Sequence, residues 1–250
     1  MNTNILDFGA KPDGKTLCTK EIQAAIDACA SSGGGRVTVP AGNYVSGTIW
    51  LKSNVELHLE HNSVIRGSDD LDDYNAEDAY SQNFSSRNNE KWLGKHLVVA
   101  HECENVAITG GGTLDGNAEV FLGDVKPYSA YCWRDGLRTA KDLVICRPGQ
   151  LVCFIECKNV RVENITLTNQ PCWGCFLHGC ERVIHIFDIL TWRIMLSPTP
   201  ILNTLDDEPR MQLVTVICSH GFCLSDRRNA EPRIAMASSP VSIMQSLTVT

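Results

Sequence analysis

Cys103-Glu104-Asn105-Val106, Cys157-Lys158-Asn159-Val160 and Cys180-Glu181-Arg182-Val183 are three versions of one lead-in: a cysteine, a polar pair, and a valine that opens an apolar run. The second and third copies begin 23 residues apart. That spacing lies in the window of roughly 20–50 residues for stacked repeats, in which each unit buries its apolar face only against its neighbours. The apolar runs are Val55 to Leu59, Leu97 to Val99, Val106 to Ile108, Leu151 to Ile155, Val160 to Leu167 and Val183 to Ile189. They are short, rich in Val, Ile and Leu, without helical periodicity, and separated by Asn, Gly and Cys, so they read as strands. Together they predict the coils of a β-solenoid.

Ahead of the coils the period differs. Ile22, Ala25, Ile26 and Cys29 fall on one helical face, with Thr19 placed to cap the first turn and Gly33-Gly34-Gly35 to stop the last. A solenoid leaves its end coil with unpaired edges and uncovered core, so an amphipathic helix before the first coil is expected to act as a plug. Two polar stretches, about Ser68 to Lys95 and Gly123 to Asp142, read as long excursions from single coils. On a rigid solenoid such loops can build a binding wall. Asn105, Asn159 and Asn164 occupy turn positions, where an amide can bond its own backbone or stack on the next coil.

Composition narrows the function classes. Hydrophobic residues at 43% and charged residues at 20% fit a soluble globular chain rather than bulk disorder. A net charge of −7 and the lack of any Lys/Arg run speak against a nucleic-acid partner. No apolar stretch is long enough to cross a bilayer, so no membrane partner is expected, and Met1-Asn2-Thr3-Asn4 carries no charged-then-apolar export leader. The compartment stays open. Twelve cysteines are spread over 250 residues, several inside apolar runs such as Leu151-Val152-Cys153-Phe154-Ile155, which favours buried free thiols over a disulfide framework.

An ordered series of segments resembles the polygalacturonases, glycoside hydrolase family 28. Asp7-Phe8-Gly9-Ala10, the helix Ile22 to Cys29, and Val39-Pro40-Ala41-Gly42-Asn43-Tyr44 are similar to an N-terminal cap shared by several β-helix carbohydrate enzymes. Leu51 to Leu57 and Ile108 to Gly116 are similar to the family's early coils. Arg147-Pro148, Phe154 to Val160, Asn169-Gln170-Pro171-Cys172-Trp173 and Leu177-His178-Gly179-Cys180 are more specific. The resemblance covers Asp7 to Ile189. It implies an all-β, single-stranded, right-handed parallel β-helix of the pectin-lyase type with a capping helix. It also implies one domain over residues 1–250, C-terminally incomplete, and a cofactor-free monomer that cleaves pectin.

Such hydrolysis needs one carboxyl to protonate the leaving oxygen and a carboxylate to activate water. The family supplies them from Asn-Thr-Asp-Gly and Gly-Asp-Asp motifs. Here the first place reads Asn203-Thr204-Leu205-Asp206-Asp207-Glu208, the second Ser225-Asp226-Arg227-Arg228-Asn229-Ala230, and Gly-Asp-Asp is absent from the sequence. Residues 190–233 thus depart from the family. A frame change in the gene between about Ile189 and Arg233 would unite the departures: read one base later, the codons of Asp206 to Gln212 can encode Met-Asn-Pro-Glu-Cys-Asn. Asp206 and Asp207 are the catalytic candidates, set against an acidic turn before Pro209. His220 comes too early for the family's Gly-His-Gly histidine. As written, the chain is expected to be inactive or nearly so.

Trp173 and His178 are the substrate-binding candidates, since an aromatic face stacks on a pyranose, with core packing as the competing reading. Cys172, Cys175, His178 and Cys180 have zinc-like spacing, but no second ligand pair follows and a β-coil core explains them better. Asp69, Asp70, Asp72, Asp73 and Asp115 could serve Ca²⁺ in a pectate lyase or belong to solvated turns. Three readings therefore stand: a galacturonan hydrolase, a non-catalytic carbohydrate-binding or structural β-helix, and a calcium-dependent lyase.

Overall fold

The computed structural model describes residues 1–79, 93–122, 147–187, 194–197 and 214–218. Three parallel sheets run the length of the molecule. Sheet A comprises β1 (Asn2–Asn4), β3 (Gly35–Val39), β6 (Val55–Leu59), β9 (Glu104–Gly110), β12 (Lys158–Glu163), β15 (Glu181–Phe187) and β17 (Val214–Cys218) in spatial order. Sheet B comprises β2 (Asp13–Leu17), β4 (Gly42–Ser46), β7 (Ser63–Gly67), β10 (Thr113–Asp115) and β13 (Thr166–Thr168). Sheet C comprises β5 (Ile49–Trp50), β8 (Val98–His101), β11 (Val152–Ile155), β14 (Cys175–His178) and β16 (Ile194–Ser197). From β3 to β15 the chain visits A, B and C in turn, and the strands pair in parallel with their counterparts one coil away. The fold is the parallel β-helix that the sequence predicts.

Register makes the core. Val37, Leu57, Ile108 and Val162 are opposite one another on successive strands of sheet A, and all are fully buried. Tyr44, Ile65, Leu114 and Leu167 form the matching column in sheet B, and Ala100, Phe154 and Leu177 one in sheet C. Each large aliphatic side chain withdrawn from water contributes about 1.5–3 kcal/mol. Since a side chain's neighbours are its own kind one coil away, Val, Ile and Leu at fixed register are enough to specify the stack.

Helix α1 (Thr19–Ser31) buries Ile22, Ala25, Ile26 and Cys29 against the first coils, as its period predicts. Its N-terminus differs from expectation. Cys18, with no side-chain cap, precedes the helix, while Thr19 Oγ1 accepts the Gly47 N–H at 2.8 Å and ties the helix to the loop after β4. Gly34 closes the other end with φ +101, its N–H donating to Cys29 O at 3.0 Å; a Cβ there would collide with the Asn54 backbone. That left-handed backbone and close approach require glycine.

Asn54, Asn105 and Asn159 sit at the corner before sheet A with φ of 63°, 54° and 55°. Their amides form a ladder: Asn105 donates to Asn54 and Asn159 to Asn105, each at 2.8 Å, and Arg182 Nε donates to Asn159. Asparagine tolerates this left-handed conformation better than other side chains, so one residue type satisfies both the turn and the stack. Asn164 shares the conformation, with φ 56°. The cysteines up to Cys180 behave as expected: eight of those among the described residues are free, and seven of the eight are buried.

Candidate functional site

Alternation along sheet C sends Cys175 and Leu177 inward and leaves Phe176 and His178 on the outer face. Two outward columns result. One runs Trp50, Val99, Cys153, Phe176; the other runs His101, Ile155, His178. A second apolar cluster, Val99, Cys153, Ile155 and Phe176 with Trp50 and Ala79 packed on it, therefore lies outside the main core. Its four members are at most 1% exposed. The excursions between β7 and β8, between β10 and β11, and between β13 and β14 all leave sheet B and return into sheet C, at the same corner of successive coils.

The described parts of these excursions are pinned by polar contacts. Asn75 holds the first: its Oδ1 accepts the His96 N–H at 3.0 Å, and its own N–H donates to Thr48 Oγ1 at 2.8 Å. Thr48 Oγ1 in turn donates to His96 O at 2.6 Å. His96 is fully buried, with Nδ1 2.9 Å from Gln150 O and 3.3 Å from Cys153 Sγ, and Nε2 3.7 Å from Asp78 Oδ1. Arg147, also buried, donates to the Pro171 carbonyl and so joins the second excursion to the third. Helix α2 (Ala118–Leu122) begins where the Ala118 N–H meets Asn169 O at 3.0 Å. The wall is a set of coil-to-coil clamps.

His178 is 2% exposed and stacks on Phe176, with ring centroids 5.9 Å apart and planes 18° from parallel. Burial lowers its pKa against a weaker opposing pull from Glu156, which keeps the imidazole neutral near pH 7. The ring is thus a hydrogen-bonding group rather than a cation. Trp173 is half-buried and its carbonyl accepts the Leu151 N–H at 2.8 Å, which places it at the entry to sheet C beside the wall. The two candidates thus differ: His178 is packed in the protein on Phe176, while Trp173 keeps part of its surface open at the entry to sheet C. Cys153 is unsuited to nucleophilic work, because full burial pushes its thiol well above the ordinary value.

Asp206, Asp207 and His220 lie outside the described residues, as does the second excursion from Gly123 to Asp142. The zinc-like group does not converge: Cys175 points into the core, and the Cys180 thiol lies with Cys157 at the next corner. Among the described residues the one group with ligand atoms within 4.8 Å of each other is His101, Glu102 and Glu156, all exposed. Asp70 and Asp115 instead serve turns, accepting the N–H groups of Asp72 and Asn117, each at 2.9 Å, and Asp73 accepts the Ser68 hydroxyl. His96 and Gln150 were not legible as site residues: in the sequence they stand among polar loop residues, and their contact spans 54 positions.

Residues 2–126 match the family model described as rhamnogalacturonase A/epimerase, pectate lyase-like. An exo-poly-α-D-galacturonosidase of Dickeya chrysanthemi is 36% identical over 213 residues, covering 72% of this chain and 34% of that protein. The chain belongs to the polygalacturonase family. Two solved family members share its fold. The hyperthermoactive exopolygalacturonase of Thermotoga maritima has a TM-score of 0.56 at 29% identity, over 79% of this chain and 47% of that one. The family 28 exopolygalacturonase of Yersinia enterocolitica has 0.56 at 27%, over 73% and 37%. This polygalacturonase-family chain spans about a third of the length of the curated relatives it matches.

Proposed function

We propose that this chain forms part of a glycoside hydrolase acting on the galacturonan of pectin, with the outer face of sheet C as the floor of its sugar cleft. The 36% identity to a galacturonosidase carries the substrate class. The partly exposed Trp173 at the entry to sheet C, beside the excursions that return into that sheet, supports the location of the cleft. In the proposed inverting reaction one carboxyl gives its proton to the glycosidic oxygen while a second activates water on the opposite face of the ring. Asp206 and Asp207 are the acids proposed for those roles. Since they replace the family's aspartate motifs with a different order of residues, the chain as written is proposed to hold galacturonan with little or no turnover.

Release of reducing ends from polygalacturonic acid tests this, run beside a matched protein whose frame is repaired over residues 190–233. The expected outcome is activity in the repaired protein alone. Turnover by the chain as written would overturn its proposed inactivity, and silence from both would overturn the hydrolase reading. A non-catalytic carbohydrate-binding role is the second reading, favoured by the altered motif at Asn203 to Glu208. Retarded migration in pectin-containing gels without reducing ends from either protein would select it. Chelator-sensitive absorbance from an unsaturated product would select the lyase instead.

A further inference from the structure

The lead-in cysteines form a second ladder at the corner between sheets C and A, apart from the cleft face. Each thiol lies within hydrogen-bonding reach of two carbonyls, one two residues before it and one on the preceding coil, either of which can accept its single S–H. Cys103 reaches His101 O and Leu51 O at 3.3 and 3.5 Å. Cys157 reaches Ile155 O and Ala100 O at 3.3 and 3.4 Å, and Cys180 reaches His178 O and Phe154 O at 3.5 and 3.4 Å. The thiols are also electrostatically coupled along the ladder, Cys103 to Cys157 and Cys157 to Cys180. Backbone bonds lock the rungs beside them: Lys158 N to Cys103 O and Glu181 N to Cys157 O, both 2.8 Å.

Hydrogen-bonded neighbouring strands are about 4.8 Å apart. That spacing falls inside the Cα–Cα range of about 4.4–6.8 Å that a disulfide spans. Cys103 and Cys157 are buried, and Cys180 is only half-buried, so a dissolved reagent meets the ladder at Cys180. We propose that Cys180 and Cys157 form an oxidisable pair, in which a peroxide-class oxidant attacked by Cys180 yields a reversible Cys157–Cys180 disulfide.

The chemistry balances as two thiols and one peroxide giving one disulfide and two waters. The Cys180 sulfur attacks a peroxide oxygen, the O–O bond breaks, and the departing hydroxide takes up the thiol proton as water, leaving a sulfenic acid. The Cys157 sulfur then attacks Cys180, the S–O bond breaks, and hydroxide leaves with the Cys157 proton as the second water. Sulfur is oxidised and peroxide reduced. The order of attack agrees with acidity: the coupling to Cys157 holds the Cys180 thiol below its ordinary value, outweighing burial. At Cys157 the coupling to Cys103 pulls downward, but the coupling to Cys180 and burial leave it at about 12. A strand spacing of about 4.8 Å exceeds the usual disulfide Cβ–Cβ separation of about 3.5–4.5 Å, so the two strands must draw together slightly and the bond is expected to be strained and easily reduced.

Hydrogen peroxide on the purified full chain, followed by thiol blocking and peptide mapping, tests the pair. A Cys157–Cys180 cross-linked peptide, lighter by two hydrogens and lost on adding dithiothreitol, is expected. Iodoacetamide should label Cys180 roughly tenfold faster than Cys157 or Cys103. Cys157→Ser should leave a Cys180 sulfenic acid that dimedone traps, with circular dichroism confirming that the variant is folded. Wild-type chain that yields overoxidised or unmodified Cys180 without that cross-link, or a first cross-link elsewhere, overturns the proposal whatever the variant does.

Discussion

Asn159 combines two roles that can be separated. Its side chain receives Arg182 and donates to Asn105, and its backbone is left-handed. Asn159→Ala removes two hydrogen bonds and sets an alanine Cβ at φ 55°, which together should cost about 2 kcal/mol in urea unfolding. Asn159→Gly loses the bonds but relieves the backbone, so about 1 kcal/mol is expected; equal losses would mean the backbone contributes nothing. Glu56 offers a pH test. Burial raises its pKa, but the bonds from Thr109 at 2.5 Å and Arg36 at 3.0 Å, and the charges of Arg36 and Arg161, bring it below its ordinary 4.5. A depressed carboxyl stabilises the fold above its unfolded pKa, and that contribution disappears as pH falls through the folded value. Wild type should therefore exceed Glu56→Gln in stability at neutral pH and converge with it in acid, below about 4.5; a gap that persists there would contradict the assignment.

At the scale of elements, α1 was readable because its apolar face repeats at helical spacing, whereas its start was not. Thr19 looked like a cap because its residue type favours one, yet a loop one sheet away captured its hydroxyl. Local preference lost to a tertiary partner. The buried face is the part that matters for stability: Ile26 is fully buried where the helix covers the first coils. Ile26→Ala should destabilise by about 2–5 kcal/mol, read from the urea midpoint at unchanged slope. A change below about 0.5 kcal/mol, typical of surface sites, would show that the helix is not a plug. The excursions were legible as polar interruptions, but their clamps were not, since Asn75, Thr48 and His96 meet through turns 20 or more residues apart.

For the whole molecule, charge opposes the proposed substrate. A chain of net −7 repels a polyuronate at neutral pH, and the repulsion fades toward the sequence pI of about 5.5. Retardation in pectin gels should be stronger at pH 5 than at pH 7. The reverse order would mean that cations gathered in the cleft dominate binding. The solenoid has its own consequence, because each coil contacts only the coils beside it and the structure can be extended or interrupted without rearranging the rest.

Sequence alone determined the repeat: a lead-in of cysteine, polar pair and valine, strand-length apolar runs and asparagine turns leave stacking as the way to bury those runs. It determined the family as well, through ordered segments from Asp7 to Ile189. Tertiary structure decided into which sheet the excursions return, that His178 is buried there on Phe176, and that three thiols meet in line. Those facts depend on register between coils as much as 54 residues apart. Residue type and local period carry no information about pairing at that distance, because it is set by which neighbours the stacked strands bring together.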